Sequence, residues 1–351
     1  MTRRRIAVIP GDGIGPEIVQ AAVQVLRALP GTDWEFHPEE AGAVHFRRTG
    51  AAMSPATLER LRTEYDAVLK GPVGLPEVRH PDGTEAGVVS GILRTGLNAY
   101  ANVRPVTELT AEPRIDYVIV RENTEGLYAS RGLGVGNDRV RVDQLLVTRE
   151  GVERVVHYAF RLARTRCGAP ADGVRRVTCV DKSNVLRSYA FFRSVFDEVA
   201  RQYPDIEADH RYADAAGHDL VAAPEQFDVL VMENFIGDIL SDVGAATVGG
   251  LGLCAAANIG DRHAYFEPMH GSAPTLAGTD RANPTGQILA AAMMLDHLGD
   301  HEAAGAIRRA VRHAYLTGAV QLRGAGSPAG GTRAAAAAVV AALRELDHRV
   351  T

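Results

Sequence analysis

Cysteine is scarce in this chain: Cys167, Cys179 and Cys254 are the only three among 351 residues. They are too few and too scattered for a disulfide framework or a zinc site, which fits a reducing cytoplasm. A basic excess is missing too. The formal net charge is −5, from 38 Lys and Arg against 43 Asp and Glu, which argues against a nucleic-acid surface. Long apolar runs are also absent. The basic start Arg3-Arg4-Arg5 is followed only by apolar residues 6–9 before Pro10, too short for the hydrophobic stretch of a signal peptide. The alanine-rich run 334–343 is too short to span a bilayer. There is no internal repeat and no long linker. Neither export nor a membrane partner is expected, and a cytoplasmic location is.

Hydrophobic residues at 46% with 23% charged describe a globular chain, and its length suits two domains or one large α/β unit. Short β-branched runs at 6–9, 67–70, 117–120, 177–180 and 228–232 read as strands. They alternate with helical patterns at 17–29, 150–165, 187–201, 286–298, 302–315 and 332–346. That alternation predicts a mostly parallel α/β architecture. The Gly-rich stretch 248–253 is a crossing point between domains.

The first βα turn, Pro-Gly-Asp-Gly-Ile-Gly-Pro-Glu at 10–17, carries glycines at 11, 13 and 15. A dinucleotide fingerprint needs its third glycine at 16, where Pro16 opens a helix instead. The turn, with Ile14 in it, can still face a cofactor from a helix N-terminus. Of Arg94, Arg104 and Arg121, two directly follow strand-like apolar runs, and converging guanidinium forks suit a di- or tricarboxylate. Singly, each reads equally as a surface arginine. Lys182, in Val-Asp-Lys-Ser-Asn-Val-Leu, is a candidate base or a surface ion-pair partner. Tyr128 is a candidate general acid or a packed tyrosine. The turn-rich segment 267–274 with Asn283 offers backbone donors to a phosphate or nucleotide.

Asp238 and Asp242, four residues apart in Gly-Asp-Ile-Leu-Ser-Asp, share one helix face. All-oxygen ligation there suits Mg²⁺ or Mn²⁺, with Asp214 a third candidate carboxylate. Alternatively, Asp238 caps a helix after Gly237 and Asp242 is solvated.

In order along the chain, these segments resemble the β-decarboxylating dehydrogenases acting on 2-hydroxy-3-carboxy acids: isopropylmalate, isocitrate, homoisocitrate and tartrate dehydrogenases. Five motifs carry the resemblance, which runs from Ile6 to about Leu346: the 10–17 turn, Ala-Asn-Val-Arg-Pro, Asp-Lys-Ser-Asn-Val-Leu, Gly-Asp-Ile-Leu-Ser-Asp and His-Gly-Ser-Ala-Pro. It implies the isopropylmalate dehydrogenase-like two-domain α/β fold, with a mostly parallel sheet in the large domain, and not a Rossmann fold. Residues 1–100 and 251–351 would form the large cofactor-binding domain. Residues 101–250 would form the small domain, with the dimer interface and the substrate and metal residues. In that resemblance, Arg94, Arg104 and Arg121 grip the malate carboxylates, and Asp238 and Asp242 bind Mg²⁺ or Mn²⁺ with the partner subunit's Asp214. The partner subunit's Lys182 takes the hydroxyl proton, and Tyr128 protonates the enol. Asn184 meets the nicotinamide side, while Ile14, His270, Gly271, Ser272, Ala273, Thr275 and Asn283 line the cofactor site.

Ser90 and Gly91 stand where isopropylmalate enzymes carry leucines, which removes an apolar wall, and Ser90 can hydrogen-bond a polar side group. The Arg-Glu-Asn-Thr-Glu-Gly run at 121–126 also matches the isocitrate, homoisocitrate and tartrate branch. The expected substrate is isocitrate- or homoisocitrate-like; isopropylmalate, tartrate and a phosphonate-bearing malate are the alternatives. Homoisocitrate enzymes often place an arginine where Gly91 sits, and that charge is missing. Thr275 stands where NAD enzymes place Asp and NADP enzymes Lys, so NAD is the default and NADP possible, with Arg281 near enough in sequence for a 2′-phosphate. A non-catalytic regulatory subunit would lose these positions, and here Lys182, Tyr128, Asp214, Asp238, Asp242 and all three arginines are present.

Overall fold

In the computed structural model, residues 3–31, 33–109, 112–324 and 326–348 are described. The strands in chain order are β1 (Arg4–Ile9), β2 (Trp34–Pro38), β3 (Ala67–Lys70), β4 (Ala101–Thr107), β5 (Asp116–Glu122), β6 (Val135–Gly136), β7 (Arg141–Val142), β8 (Arg176–Asp181), β9 (Glu207–Tyr212), β10 (Val229–Met232), β11 (Ala255–Ile259), β12 (Ala264–Pro268), β13 (Leu322–Arg323) and β14 (Ser327–Pro328). The helices are α1 (Gly15–Arg27), α2 (Ala43–Thr49), α3 (Pro55–Thr63), α4 (Ser90–Gly96), α5 (Arg149–Thr165), α6 (Arg187–Ala200), α7 (Ala213–Ala222), α8 (Asn234–Thr247), α9 (Thr285–His297), α10 (His301–Leu316) and α11 (Thr332–His348). All five expected strands and six expected helices form, with ends shifted by one or two residues. Helix α1 starts early because Pro16, lacking an N–H to leave unpaired, fits its first turn.

Ten strands make one sheet in the order β2-β1-β3-β12-β11-β4-β5-β10-β8-β9. The blocks β2-β1-β3-β12 and β5-β10-β8-β9 are each parallel. Between them, β11 and β4 run antiparallel to their neighbours, so the two blocks point in opposite directions. The sheet is therefore mostly parallel, as its alternating pattern implied.

Side chains alternate across a strand, so each face has its own chemistry. One face is apolar across both blocks: Val8, Leu69, Phe266, Ala257, Val103, Val120, Val231 and Val177 belong to a single core also built from α1, α5, α6, α9, α10 and α11. The other face carries two smaller cores. One, around Ala7, Ile9, Val68 and Tyr265, packs under Leu61 of α3 and Leu93 of α4. The other, around Val106, Tyr117, Ile119, Leu230 and Met232, packs under α7 and α8. Polar residues occupy the gap between them. The two buried cysteines serve these cores, Cys179 the large one and Cys254 the last. Among the described residues no helix is long and apolar enough to cross a membrane.

The 10–17 turn is fixed by its acid. Asp12 is 1% exposed, and its carboxylate accepts from the backbone N–H groups of Ala43 (2.7 Å), Val44 (2.9 Å) and Gly74 (2.8 Å). It thereby joins three loops and caps α2. Asp12→Ala would leave those donors buried and unpaired, so a loss of about 3 kcal/mol is expected in urea unfolding. A loss below about 1 kcal/mol would show that the loops hold without it.

Candidate active site

Strand register assembles the polar gap. Arg121 on β5 lies opposite Asn102 on β4, Asn102 opposite Asn258 on β11, and Asn258 opposite Tyr265 on β12. Directly paired residues point to the same face, as do residues two apart, so Arg104 and Glu267 join them. From above, α4 contributes Arg94 and α8 contributes Asn234, Asp238, Ser241 and Asp242. Gly237 permits this close approach, since a Cβ there would lie 2.7 Å from Arg121 Cγ.

The expected arginines do converge, although Arg94 sits on a helix and Arg104 inside a strand. Arg121 is 1% exposed; its Nε (3.0 Å) and Nη2 (2.7 Å) donate to Asn234 Oδ1, and its Nη1 donates to Asp238 Oδ1. Arg104 donates to Asn102 Oδ1 (2.5 Å) and Ser241 Oγ (2.6 Å), and approaches Asp238 at 3.4 Å and Asp242 at 3.8 Å. Tyr128 donates to Asp238 Oδ2 at 2.8 Å. Arg94 lies near Tyr265 and Glu267, with its buried Nε unpartnered. Three guanidinium groups thus share essentially one close counter-ion, and that positive excess suits an anionic ligand.

The carboxylate pair is not symmetric. Burial works to raise the Asp238 carboxyl, but Arg121, Arg104, the Tyr128 hydroxyl and Arg94 outweigh it and hold the group below its ordinary value. Burial and the charge of Asp238 raise Asp242, against the pull of Arg104. Burial and the bond to Asp238 raise the Tyr128 phenol, keeping it protonated near neutrality. The helix-cap alternative for Asp238 is excluded: Glu233 caps α8, accepting from Phe235 N (2.9 Å) and Ile236 N (3.3 Å). As oxygen donors on one helix face, Asp238 and Asp242 fit a hard divalent cation.

Lys182 and Asp214 stand apart from this cluster. Lys182 Nζ donates to Asp214 Oδ1 at 2.6 Å, and the adjacent Asp181 instead takes Arg193 and Ser183 N. Among the described residues no three acidic, His or Cys side chains gather as a metal set within this one chain. Asn184 lies in the exposed turn following Lys182.

The remaining expected residues meet at the ends of β1, β3 and β12. Ile14 N donates to Ser272 O at 2.8 Å, joining the first turn to the 270–273 loop. A Cβ on Gly13 would lie 2.0 Å from Ser272 O, and one on Gly11 2.1 Å from Pro72 O. These glycines serve loop packing rather than a pyrophosphate, in keeping with a non-Rossmann turn. Ile14 packs with Ile18, Ala282, Ala273 and Leu276. His270 Nδ1 lies 2.9 Å from Gly271 O, and its Nε2 is buried without a partner. Burial lowers its pKa, favouring the neutral ring. Gly271 and Thr275 are exposed beside it, with open space over Gly271. The Ser272 hydroxyl turns inward to Gly74 O, and Asn283 holds Gly326 O (2.9 Å) and Thr285 N (3.0 Å). The free imidazole nitrogen and the open loop fit a nucleotide, while Ser272 and Asn283 shape the loop.

Against this geometry, the isocitrate/isopropylmalate dehydrogenase family model matches residues 5–321. The chain belongs to that family. A relative named 3-isopropylmalate/3-methylmalate dehydrogenase, from Methanocaldococcus jannaschii, is 44% identical over 90% of this chain and 92% of its own length. The homoisocitrate dehydrogenase of the same organism is 37% identical over 89% and 90%. Among solved structures, an isocitrate dehydrogenase from Methylococcus capsulatus superposes with a TM-score of 0.85 at 41% identity, covering 97% of this chain and 99% of that one. As a family member the chain is a β-decarboxylating dehydrogenase acting on the CH–OH group of a hydroxy acid.

Several polar partners of this family member were missed in the sequence. Lys70, 2% exposed at the end of β3, bonds Glu267; Asn258 Nδ2 donates to Glu267 Oε1 at 3.0 Å. Asn258 Oδ1 accepts from Asn102 (2.7 Å) and Asn123 (2.9 Å), and Asn102 reaches Arg104. A signal existed for Asn102, two residues before Arg104 and hence on the same face. Asn258 gave none, because its place depends on strand order.

Asp238 has a folded pKa below its unfolded one, so its stabilisation is full above the ordinary carboxylate range and is lost as pH falls through the lowered value. Asp238→Asn should cost about 1–3 kcal/mol at pH 7, less than a fully buried pair because the carboxylate is 37% exposed. Asp242 has the opposite sign: its raised pKa makes its charge a burden above that range. Asp242→Asn should therefore raise the melting temperature of the metal-free protein at pH 7. Equal losses in the two variants, by calorimetry, would contradict the asymmetry.

Proposed function

We propose that this enzyme oxidatively decarboxylates a malate-type 2-hydroxy-3-carboxy acid with an anionic side group, isocitrate- or homoisocitrate-like. The observation that carries this reading is the cluster of Arg94, Arg104 and Arg121 around Asp238, with the Arg94 Nε left unpaired. That cluster is matched to an anion carrying several carboxylates. At Ser90 and Gly91 the wall is a hydroxyl and a glycine with only a guanidinium nitrogen near it, rather than apolar surface. For that reason we depart from the isopropylmalate name carried by the methanogen relative. Isopropylmalate, tartrate and a phosphonate-bearing malate are the alternatives to be tested.

The cofactor is a nicotinamide dinucleotide, NAD by default with NADP possible, held by the 270–275 loop and the turn at Ile14. Mg²⁺ or Mn²⁺ is held by Asp238 and Asp242 with the partner subunit's Asp214. When bound, these groups supply hydride acceptance and Lewis acidity. The protein's own residues do the rest. Arg94, Arg104 and Arg121 orient the carboxylates and exclude water. The partner subunit's Lys182, as the neutral amine, removes the hydroxyl proton. Tyr128, its phenol kept protonated, delivers the proton that completes the product. The separation of Lys182 and Asp214 from the cluster in one chain supports a homodimer with shared sites, and the scarcity of cysteine supports a cytoplasmic location. The change from one parallel block to the other at β11 and β4 supports a division into residues 1–100 with 251–351, and 101–250.

Assays with isocitrate, homoisocitrate, isopropylmalate, tartrate and phosphonomethylmalate, each with NAD⁺ and NADP⁺, test the substrate and cofactor. The highest kcat/KM is expected for an anionic side group, and a clear win for isopropylmalate would overturn the reading. No turnover with any of them would favour a non-catalytic binding role. Lys182→Ala should still bind metal and cofactor while losing turnover by a factor of about 10²–10⁴, the usual worth of a general base. Near-normal turnover would remove Lys182 from that role.

A further inference from the structure

Gly91 lacks the cation that a side-group carboxylate would need, but the fold brings one to the same place. Gly91 lies three positions before Arg94 on α4, and Ser90 four, so both border the face that carries Arg94 toward the arginine cluster. A Cβ on Gly91 would meet a single group within 4 Å: the Nη1 of Arg131, at 3.7 Å. Otherwise the space is open. Arg131 comes from another part of the chain, just after the short helical turn Leu127–Ser130 that carries Tyr128. Its own N–H donates to Tyr128 O at 3.2 Å, and Tyr128 is bound to Asp238. The backbone bearing Arg131 is therefore anchored to the reacting centre. Its guanidinium makes no side-chain hydrogen bond or ion pair with any described residue. The Ser90 hydroxyl is likewise without a hydrogen bond among them.

We propose that Arg131 is the specificity-determining residue for the substrate's side group, its guanidinium fork taking a carboxylate or phosphonate in the space over Gly91 while Ser90 donates a hydrogen bond. The proposal rests on the anionic-side-group reading and names the group that recognises it. Glycine at 91 is then the complement of Arg131, because any larger side chain would fill the volume the anion needs. An arginine at 91 would also bring a second cation beside the first.

The test compares the ratio of kcat/KM for an anionic substrate to that for unsubstituted malate, in the unaltered enzyme, Arg131→Met and Arg131→Lys. Isocitrate, homoisocitrate and phosphonomethylmalate are run separately to distinguish carboxylate from phosphonate. A hydrogen-bonded charge contact is worth roughly 1.5–3 kcal/mol, so Arg131→Met should lower the ratio by about tenfold to a hundredfold, chiefly through KM. Arg131→Lys should restore part of it, since a lysine keeps the charge but not the fork. A purely structural role would lower both substrates together and leave the ratio unchanged. A ratio within about twofold of the unaltered enzyme, in a Met variant of unchanged melting temperature, would overturn the assignment of Arg131. If the unaltered enzyme itself prefers isopropylmalate, the anionic-side-group reading falls first, whatever the variants do.

Discussion

Everything in the site answers to the cost of holding three guanidinium groups against one face of a sheet. Taking a charge out of water costs several kcal/mol unless it is paired and hydrogen-bonded. Arg121 offsets this with two bonds to Asn234 and an ion pair to Asp238; Arg104 does so with Asn102, Ser241 and the same aspartate. Arg94 is left with a buried Nε unpaired. On the proposed reading, the cluster is a preorganised site for a multiply charged anion rather than a structural ion-pair network. The glycine at 237 belongs to the same constraint, because α8 must lie almost on the Arg121 side chain to bring its carboxylates there.

The arginines also need a rigid floor. The chain of bonds from Lys70 through Glu267, Asn258 and Asn102 to Arg104 crosses β3, β12, β11 and β4. It links the strand that leads into the His270 loop with the strand that carries Arg104. Buried networks of this kind are valuable only when complete, since one missing partner strands the next. Asn258 suits the middle position because an amide can accept twice at its oxygen while donating from its nitrogen. An aspartate there could accept but not donate to Glu267. The antiparallel pair β11 and β4 is therefore more than a connection: its register aligns the polar residues of the two parallel blocks.

Much of this was legible in the sequence, and what was not has physical reasons. Five parallel strands, β1, β3, β5, β8 and β10, were visible because Val and Ile occur in them, and six helices because their apolar residues recur with helical spacing. The parallel edge strands β2 and β9, with neither Val nor Ile, were not read. Strands β11 and β12 were not seen: Ala255-Ala-Ala-Asn-Ile259 has one β-branched residue and no alternation. Helix α4 was hidden in a seven-residue turn containing two glycines. Motif order identified Arg94, Arg104, Arg121, Tyr128, Asp238 and Asp242 as a set, and they meet. It could not foresee that Ser272 and Asn283 spend their side chains on neighbouring loops, or that Arg131 would lie over Gly91. Such contacts between distant segments are decided by strand order and loop path.

The asymmetry of Asp238 and Asp242 has a consequence for how the site fills. Both oxygens of Asp238 are engaged, Oδ1 by Arg121 and Arg104 and Oδ2 by Tyr128, whereas Asp242 is 54% exposed with one long contact to Arg104. An anion that occupies Arg104 and Arg121 competes with Asp238 for the same donors and weakens its hold on them. A carboxylate released in that way, beside one already disfavoured in its charged form, becomes a better site for a cation. On the proposed reading, the affinities for anionic substrate and divalent cation are therefore coupled through Asp238, and by linkage each raises the other by the same factor. The pair is then more than two ligands on one helix face. Asp238 is the point at which the substrate's charge and the cation's charge are balanced against each other.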